Sequence, residues 1–131
     1  MGCKIMVTQQ ILNIHNSHDI ISTRMQVREA ARHVGLVPGD QARISLATSS
    51  LIEGLGLGFD AGTTSVGIEE LNDGKKIGLS VIFTFEDPRE RQPIQAAATN
   101  IGWMVDNLDI SFPEHNKMVI ILTKWAIKRQ S

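Results

Sequence analysis

The segment Asp40-Gln-Ala-Arg-Ile-Ser-Leu-Ala-Thr-Ser-Ser-Leu-Ile-Glu-Gly54 carries the strongest structural signal in this chain of 131 residues. Pro38 suits the first turn of a helix, where its missing N–H costs nothing, and Asp40 is favoured near the positive end of the helix dipole. Apolar residues recur at the spacing of one helical face, namely Ile44, Ala47, Leu51 and Leu55. We therefore predict a helix that ends where glycines become frequent, at Gly54, Gly56, Gly58 and Gly62.

A second helical pattern precedes this segment, with Ser17 as a plausible N-cap and Gly35 as the glycine that closes the helix. Its apolar face consists of Ile20, Val27, Ala30, Ala31 and Val34. The opposite face carries three arginines spaced four apart, Arg24, Arg28 and Arg32. This basic stripe is either an ordinary solvated face or a docking surface for an acidic partner.

The remaining pattern predicts five strands and a third helix. The strands are expected at residues 5–14, 64–70, 75–85, 108–112 and 118–125, with the first at an edge and the last two forming a hairpin around residues 113–117. The third helix is expected at residues 95–107, from apolar residues three or four apart. This order predicts an α/β (α+β) two-layer sandwich, in which about three helices cover one face of the sheet.

Composition indicates one globular domain over residues 1–131. The chain is 42% hydrophobic and 21% charged, which is ordinary for a globular protein, and its net charge of −1 gives no electrostatic reason to expect nucleic acid or an anionic membrane as a partner. No apolar run approaches the roughly 20 residues that cross a bilayer. The single cysteine, Cys3, cannot form an internal disulfide. We therefore expect the protein to be located in the reducing cytoplasm.

Several segments resemble one bacterial family, the small anti-sigma factors and switch-protein serine kinases that share the GHKL, or Bergerat, ATPase fold. In that family the second helix reads roughly Asp-Gln-Ala-Arg-Ile, then Ala-x-Ser-Glu-Leu-x-x-Asn, as residues 40–54 nearly do. The other matching segments are Asp19-Ile-Ile-Ser-Thr-Arg24, Val27-Arg28-Glu29-Ala30-Ala31, Val105-Asp106-Asn107-Leu108-Asp109-Ile110 and Thr123-Lys124-Trp125. The resemblance covers most of residues 19–125 and implies a mixed or antiparallel sheet of about five strands.

The same resemblance implies that the nucleotide chemistry has been lost from the second helix. The family's Glu, which acts as general base or orienter, is replaced by Ser50, and its magnesium-binding Asn is replaced by Gly54. Ser50 and Gly54 are therefore degenerate catalytic positions. Glu53 is a weak candidate for a replacement ligand, because one residue along a helix rotates a side chain by about 100°.

The family's other nucleotide motifs are also altered. Its adenine-binding Asp-x-Gly-x-Gly motif corresponds to Asp87 followed by Pro88-Arg89-Glu90-Arg91, so Asp87 is a weak candidate without the glycines. Lys117-Met118 stands where the family has a phosphate-facing Gly-Thr. We therefore expect no cofactor, and ATP with magnesium only in an alternative in which Glu53 and Asp87 form an altered nucleotide site.

These observations predict a non-catalytic regulatory module of bacterial stress or partner-switching signalling. Related proteins dock a STAS-type domain near the nucleotide lid and first helix, so a STAS or sigma-pathway partner is expected at Arg24, Arg28, Arg89 and Arg91. We expect the run at residues 88–93 to be an exposed loop. The alternative function is an ATP-dependent serine kinase of the same family. A homodimer through the lid or an edge strand is a third possibility.

Two further expectations concern polar and aromatic side chains. The hydroxyls of Ser45, Thr48, Ser49 and Ser50 either line a small polar pocket or bond to carbonyls one turn back in the helix. Core packing is expected for five of the six aromatic residues. Among them Trp103 is expected to fill the space that a nucleotide would occupy.

Overall fold

The computed structural model describes residues 8–14, 17–54, 63–72, 74–86 and 91–126. For residues 8–10, 17, 54, 63–64 and 91–95 it describes the backbone alone. The elements in chain order are β1 (Thr8–Ile14), α1 (Ser17–His33), α2 (Pro38–Gly54), β2 (Thr63–Asn72), β3 (Ile77–Glu86), α3 (Arg91–Ile101), β4 (Asn107–Glu114) and β5 (Lys117–Ala126). A short 3₁₀ helix, Gly102–Met104, follows α3.

The sheet has five strands in the order β1-β2-β3-β5-β4, and every strand pair is antiparallel. β1 lies at one edge, as its sequence predicts, and β4 lies at the other. The observed fold is thus α+β with a five-stranded antiparallel sheet and three α-helices, which confirms the predicted class.

The core lies between the helices and one face of the sheet. In β3 the side chains of Leu79, Val81, Phe83 and Phe85 alternate onto that face and are fully buried. Val27 of α1 and Leu51 of α2 are equally buried. The rings of Phe83 and Phe85 are stacked, with centroids 6.4 Å apart and planes 8° apart. The alternate residues of β3, namely Gly78, Ser80, Ile82 and Thr84, lie on the opposite face of the sheet.

Gly35 ends α1 as the sequence predicts. Its φ of 90° is a left-handed conformation that glycine adopts without strain, and Leu36 N donates to Ala31 O at 3.0 Å across the helix end. The chain is thereby turned so that α2 can begin three residues later at Pro38.

The third helix differs from its prediction. α3 begins at Arg91 rather than at residue 95 and ends at Ile101 rather than at residue 107. Asp106 N donates to Thr123 O at 2.9 Å, so the chain from here onward pairs with β5 and leaves the helix. The predicted loop at residues 88–93 is consequently wrong for residues 91–93, because Pro93 lies in the first turn of α3, where a proline is tolerated. Residues 88–90 lie outside the described part of the chain.

The strand boundaries shift by a few residues. β2 extends to Asn72, two residues past its prediction, and β3 begins at Ile77, two residues later than predicted. β4 continues through Pro113 to Glu114, so the predicted turn at residues 113–117 is confined to the two residues before Lys117.

The aromatic residues are less buried than expected. Trp103 is 72% exposed in the 3₁₀ helix, so the expectation that it fills a nucleotide cavity is wrong. Phe112 is also exposed, since it lies on the edge strand β4. Among the aromatic residues that the structure describes, only Phe83 and Phe85 are fully buried. None of the helices in the described ranges is long and apolar enough to cross a membrane.

Candidate functional site

Four strands of the sheet end together on the side where the chain continues towards Asp87, and we call this the site end. Cross-strand pairing aligns Ile14 of β1, Thr64 of β2, Phe85 of β3 and Met118 of β5 in one row at this end. β3 finishes one residue later at Glu86, and α3 begins at Arg91 after four intervening residues. Those four residues include Asp87, so the candidate adenine position follows the site end directly in sequence.

The N-terminal end of helix α2 lies at the end of the sheet opposite the site end. Near its N-terminus, Asp40 Oδ1 lies 3.5 Å from Lys124 Nζ of β5, at the far end of the sheet. The fourteen steps from Asp40 to Gly54 advance about 21 Å along a helix. The seven steps from Lys124 back to Lys117 advance about 23 Å along a strand. The length of α2 therefore matches the span of β5 from Lys124 to Lys117.

Within the last turn of α2 the three candidate positions fall on two sides of the helix. Ser50 is half-buried and lies one turn before Gly54 on the same side of the helix, whereas Glu53 is exposed. α2 remains α-helical from Pro38 through Gly54, so no local distortion turns Glu53 towards the side of Ser50 and Gly54. The role assigned to Ser50, Glu53 and Gly54 from the sequence remains a prediction.

Lys117 is the residue that we predict from the sequence to replace a phosphate-facing glycine. Its Nζ lies 3.5 Å from Oε1 of Glu86, its cross-strand neighbour at the site end. The adjacent Met118 is fully buried against the core. The charged groups described at these strand ends are thus one ammonium and one carboxylate, and they form an ion pair with each other.

The hydroxyls of α2 are used by the helix itself. Thr48 Oγ1 donates to Ile44 O at 2.8 Å, and Ser49 Oγ donates to Leu46 O at 3.2 Å. Both side chains are buried. The interpretation that these hydroxyls bond to carbonyls one turn back is thus confirmed for Thr48 and Ser49.

The basic stripe on α1 is divided by an ion pair. Arg32 donates to Glu29, and that hydrogen bond, together with the charge of Arg32, lowers the pKa of the Glu29 carboxyl. The same hydrogen bond, together with the charge of Glu29, raises the pKa of Arg32. Arg24 and Arg28 are exposed, and no ion pair within the described ranges includes either of them. Two of the three predicted arginines therefore present uncompensated positive charge.

The structure also reveals a surface that the sequence interpretation missed. A shallow groove of about 280 Å³ lies on the outer side of α1, and its described lining residues are His18, Ile21, Ser22, Met25 and Gln26. Because α1 begins three residues after Ile14, the first half of the helix starts from the site end. The signal was present in the sequence, since Ile21 and Met25 are four residues apart and opposite the buried Val27.

Three predicted site residues, Asp87, Arg89 and Arg91, lie outside the described ranges or have side chains that the structure does not describe. Asp87 and Arg89 lie outside the described ranges, and Arg91 begins α3 with an undescribed side chain. Their suggested nucleotide and partner roles remain predictions.

At the far end of the sheet, residues from three of the resembling segments meet. Lys124 Nζ lies 3.2 Å from Asp106 Oδ1 and 3.5 Å from Asp40 Oδ1, and Trp125 N donates to Asp106 Oδ2 at 2.8 Å. We call Asp40, Asp106 and Lys124 the acid–lysine cluster. It connects α2, the approach to β4 and β5, so these matching residues hold the fold together and do not line the candidate site.

Comparison with known proteins supports the same family. No protein-family model matches the chain. The serine/threonine-protein kinase RsbT of Bacillus subtilis (strain 168) is 35% identical over 83 residues, which cover 63% of this chain and 61% of RsbT. The crystal structure of the RsbU and RsbW domains of Rv1364c from Mycobacterium tuberculosis aligns with a TM-score of 0.60 and 17% identity, over 91% of this chain and 32% of that one.

The chain is RsbT/RsbW-like. The resemblance identified in the sequence, to anti-sigma regulatory kinases, is therefore confirmed by a sequence relative. The structural likeness, at its low identity, supports the fold alone. The match spans about three fifths of the length of RsbT, and the activity and partners of this chain are addressed below as proposals.

Proposed function

We propose that this protein is a non-catalytic regulatory module of a cytoplasmic partner-switching pathway, which binds a STAS-type protein or another sigma-pathway protein. The observation that carries the proposal is the composition of the last turn of α2. There Ser50 and Gly54 occupy the positions at which the resembling proteins have a general base and a magnesium ligand. A serine hydroxyl is not basic near neutral pH, and glycine offers magnesium no side-chain oxygen.

The described residues of the site end do not fit a magnesium–triphosphate group. Glu53, the one carboxylate in the last turn of α2, is exposed and lies about 100° around the helix from Gly54. At the strand ends Glu86 is engaged by Lys117. We therefore propose no ATP-dependent step for this protein, and no bound cofactor.

Titration calorimetry with magnesium–ATP tests this proposal. We expect no saturable heat at nucleotide concentrations up to about 1 mM, which corresponds to a binding free energy weaker than about −4 kcal/mol. The variant with Ser50→Glu and Gly54→Asn restores the two family residues and is the matched comparison. Saturable binding by the wild-type protein at micromolar nucleotide would contradict the proposal.

Partner binding is tested with a purified STAS domain and charge-reversed variants. We expect binding to the wild-type protein and a loss of affinity of about tenfold or more for Arg24→Glu with Arg28→Glu, because both exposed arginines would face the partner. Lys75→Glu, which makes the same charge change in the β2–β3 turn away from the site end, is the control and should leave affinity unchanged. Equal loss in both variants would argue against docking on α1.

A functioning serine kinase is the second candidate, and it is favoured by the 35% identity to a protein named as a serine/threonine kinase. In this candidate Glu53 and Asp87 hold ATP and magnesium in an altered geometry. Transfer of labelled γ-phosphate to a serine of the STAS domain, abolished by Glu53→Gln, would support it. Self-association is a third candidate, and sedimentation at several protein concentrations would detect a homodimer.

A further inference from the structure

The groove on the outer side of α1 combines exposed apolar side chains with a concave shape. Ile21 is 49% exposed and Met25 is 65% exposed, although both are large apolar residues that a solvated helix face does not require. They stand one turn apart, and the polar margin beside them is formed by Ser22 and Gln26, whose side chains are hydrogen-bonded at 3.3 Å. At about 280 Å³ the groove is large enough for one or two apolar side chains and smaller than most sites for drug-sized molecules.

The charge beside the groove is positive. Arg24 and Arg28 are one turn apart on the flank next to Ile21, and both are exposed. Arg32, the next arginine along the stripe, is instead compensated by Glu29. A ligand of the groove therefore meets apolar atoms along its centre and two available guanidinium groups along one side.

We propose that this groove is the docking site for an acidic amphipathic helix of a protein partner. The apolar ridge of such a helix would insert between Ile21 and Met25, and its carboxylates would pair with Arg24 and Arg28. Helix-in-groove recognition uses apolar anchors three or four residues apart, and that spacing matches the spacing of Ile21 and Met25. Met25 suits this role because its flexible thioether adapts to the shape of an inserted side chain.

The concave shape favours a protein helix over a lipid surface. A membrane-binding helix presents a protruding apolar face that enters the bilayer, with basic residues on both sides. Here the apolar atoms line a depression, and the arginines lie on one flank only. One-sided charge is complementary to a helix whose acidic residues lie along one side.

A designed peptide tests the proposal directly by fluorescence anisotropy. The probe is a labelled helical peptide of about 18 residues, with leucines aligned on one face and glutamates along one side of it. We expect saturable binding that weakens as salt is raised, because the carboxylate–arginine pairs are screened. Two control peptides are a scrambled sequence that misaligns the leucines and a version with lysine in place of each glutamate, and both should bind at least about tenfold more weakly.

Matched variants locate the bound peptide. Ile21→Gln with Met25→Gln should remove binding, and Arg28→Glu should weaken it by about tenfold. Leu46→Gln changes an equally exposed apolar residue of α2 and should bind the peptide as the wild-type protein does. All of these side chains are exposed, so unchanged thermal midpoints will show that the variants remain folded.

Several results would overturn the proposal. These are equal affinity for the acidic and scrambled peptides, or peptide binding that survives the Ile21 and Met25 substitutions. Binding of phosphatidylglycerol vesicles in place of the peptide would assign the groove to a lipid surface. Concentration-dependent dimerisation that the same substitutions abolish would assign it to a second copy of the chain.

The groove proposal rests on the proposed function, because both assume a protein partner. The experiments nevertheless distinguish a wrong groove proposal from a wrong proposed function. If the peptide binds and no STAS domain does, the groove stands and the class of partner is wrong. If a STAS domain binds the Ile21→Gln, Met25→Gln variant with unchanged affinity and the peptide does not bind the wild-type protein, the groove proposal is wrong and the proposed function stands.

Discussion

The indole of Trp125 packs directly over Gly78 on the sheet face that carries no helices. A Cβ atom at position 78 would lie 2.6 Å from Trp125 Cε3 and 2.8 Å from Lys124 O, and Lys76 Nζ lies 5.4 Å from the centre of the same ring. Both distances to position 78 are shorter than a normal van der Waals contact. The glycine at this position is therefore explained by the close approach of β5.

Gly78→Ala is expected to lower the free energy of unfolding by about 1–3 kcal/mol, because Trp125 and the β5 backbone must both shift. Urea denaturation followed by circular dichroism measures the loss. Gly102→Ala is the matched control, since its added Cβ would have Leu108 Cδ1 as its nearest atom, at an ordinary 3.8 Å. An equal loss in the two variants would contradict this explanation.

The ion pair of Glu29 and Arg32 leads to a second prediction about individual residues. Arg32→Gln removes the hydrogen bond and charge that depress the pKa of Glu29, so that pKa should rise towards its ordinary value in a carboxyl NMR titration. Since the depressed pKa belongs to the folded state, the stabilisation is complete above the unfolded pKa of the carboxyl and is lost as pH falls through the folded pKa. Arg28→Gln should change this titration much less, and an identical rise would contradict the assignment.

The acid–lysine cluster connects secondary-structure elements, because its ion pair between Asp40 and Lys124 joins the first turn of α2 to β5. The side chains of Lys124 and Asp40 are only 15% and 14% exposed, so their attraction is less screened than that of a surface pair. Arg43 Nη1 also donates to Asp40 Oδ1 at 3.1 Å. Lys124 thus pairs with two carboxylates, one from α2 and one from the residues that lead into β4.

Lys124→Met is expected to destabilise the fold by about 1–3 kcal/mol, because it leaves Asp40 and Asp106 close together without their shared cation. The control is Lys117→Met, which removes a single, more exposed pair with Glu86 and should cost no more than about 0.5 kcal/mol. Thermal denaturation of both variants measures the difference. If Lys117→Met cost as much, the cluster would have no special role.

The boundary of α3 shows what limits sequence analysis of an element. Ala98, Ile101 and Val105 are spaced as one helical face and are all buried, yet the α-helix ends at Ile101. Val105 is extended, with φ of −129°. The pairing of Asp106 and Asn107 with Thr123 is a contact with a distant strand, and it outweighs the local helical preference.

At the scale of the whole molecule, one core joins α1 and α2 to the sheet. Leu51 of α2 is fully buried in the same cluster as Val27 of α1 and Phe83 of β3. A domain with one core of this kind is expected to unfold in a single cooperative step. The two tryptophans, one exposed on the helix layer and one on the sheet, allow that expectation to be checked.

Leu51→Ala should lower the free energy of unfolding by about 2–5 kcal/mol, because it leaves a cavity between α2 and the sheet. Helix signal by circular dichroism and tryptophan fluorescence should keep a common midpoint as both move to lower denaturant. Leu46→Ala, on the exposed side of the same helix, should change the midpoint little. Separate midpoints for the two signals would show that the helix layer and the sheet unfold independently.

The sequence by itself determined the fold class and the extent of α2, because periodic burial is a local property of the chain. The interpretation of Ser50 and Gly54 as replaced family residues stays a prediction. Only the tertiary structure decided where α3 ends, that Trp103 faces solvent and that Asp40, Asp106 and Lys124 form one cluster. These depend on pairing and packing between segments far apart in sequence. The groove beside Arg24 and Arg28 was also decided by the tertiary structure, because the spacing of residues alone does not show which face of α1 remains uncovered.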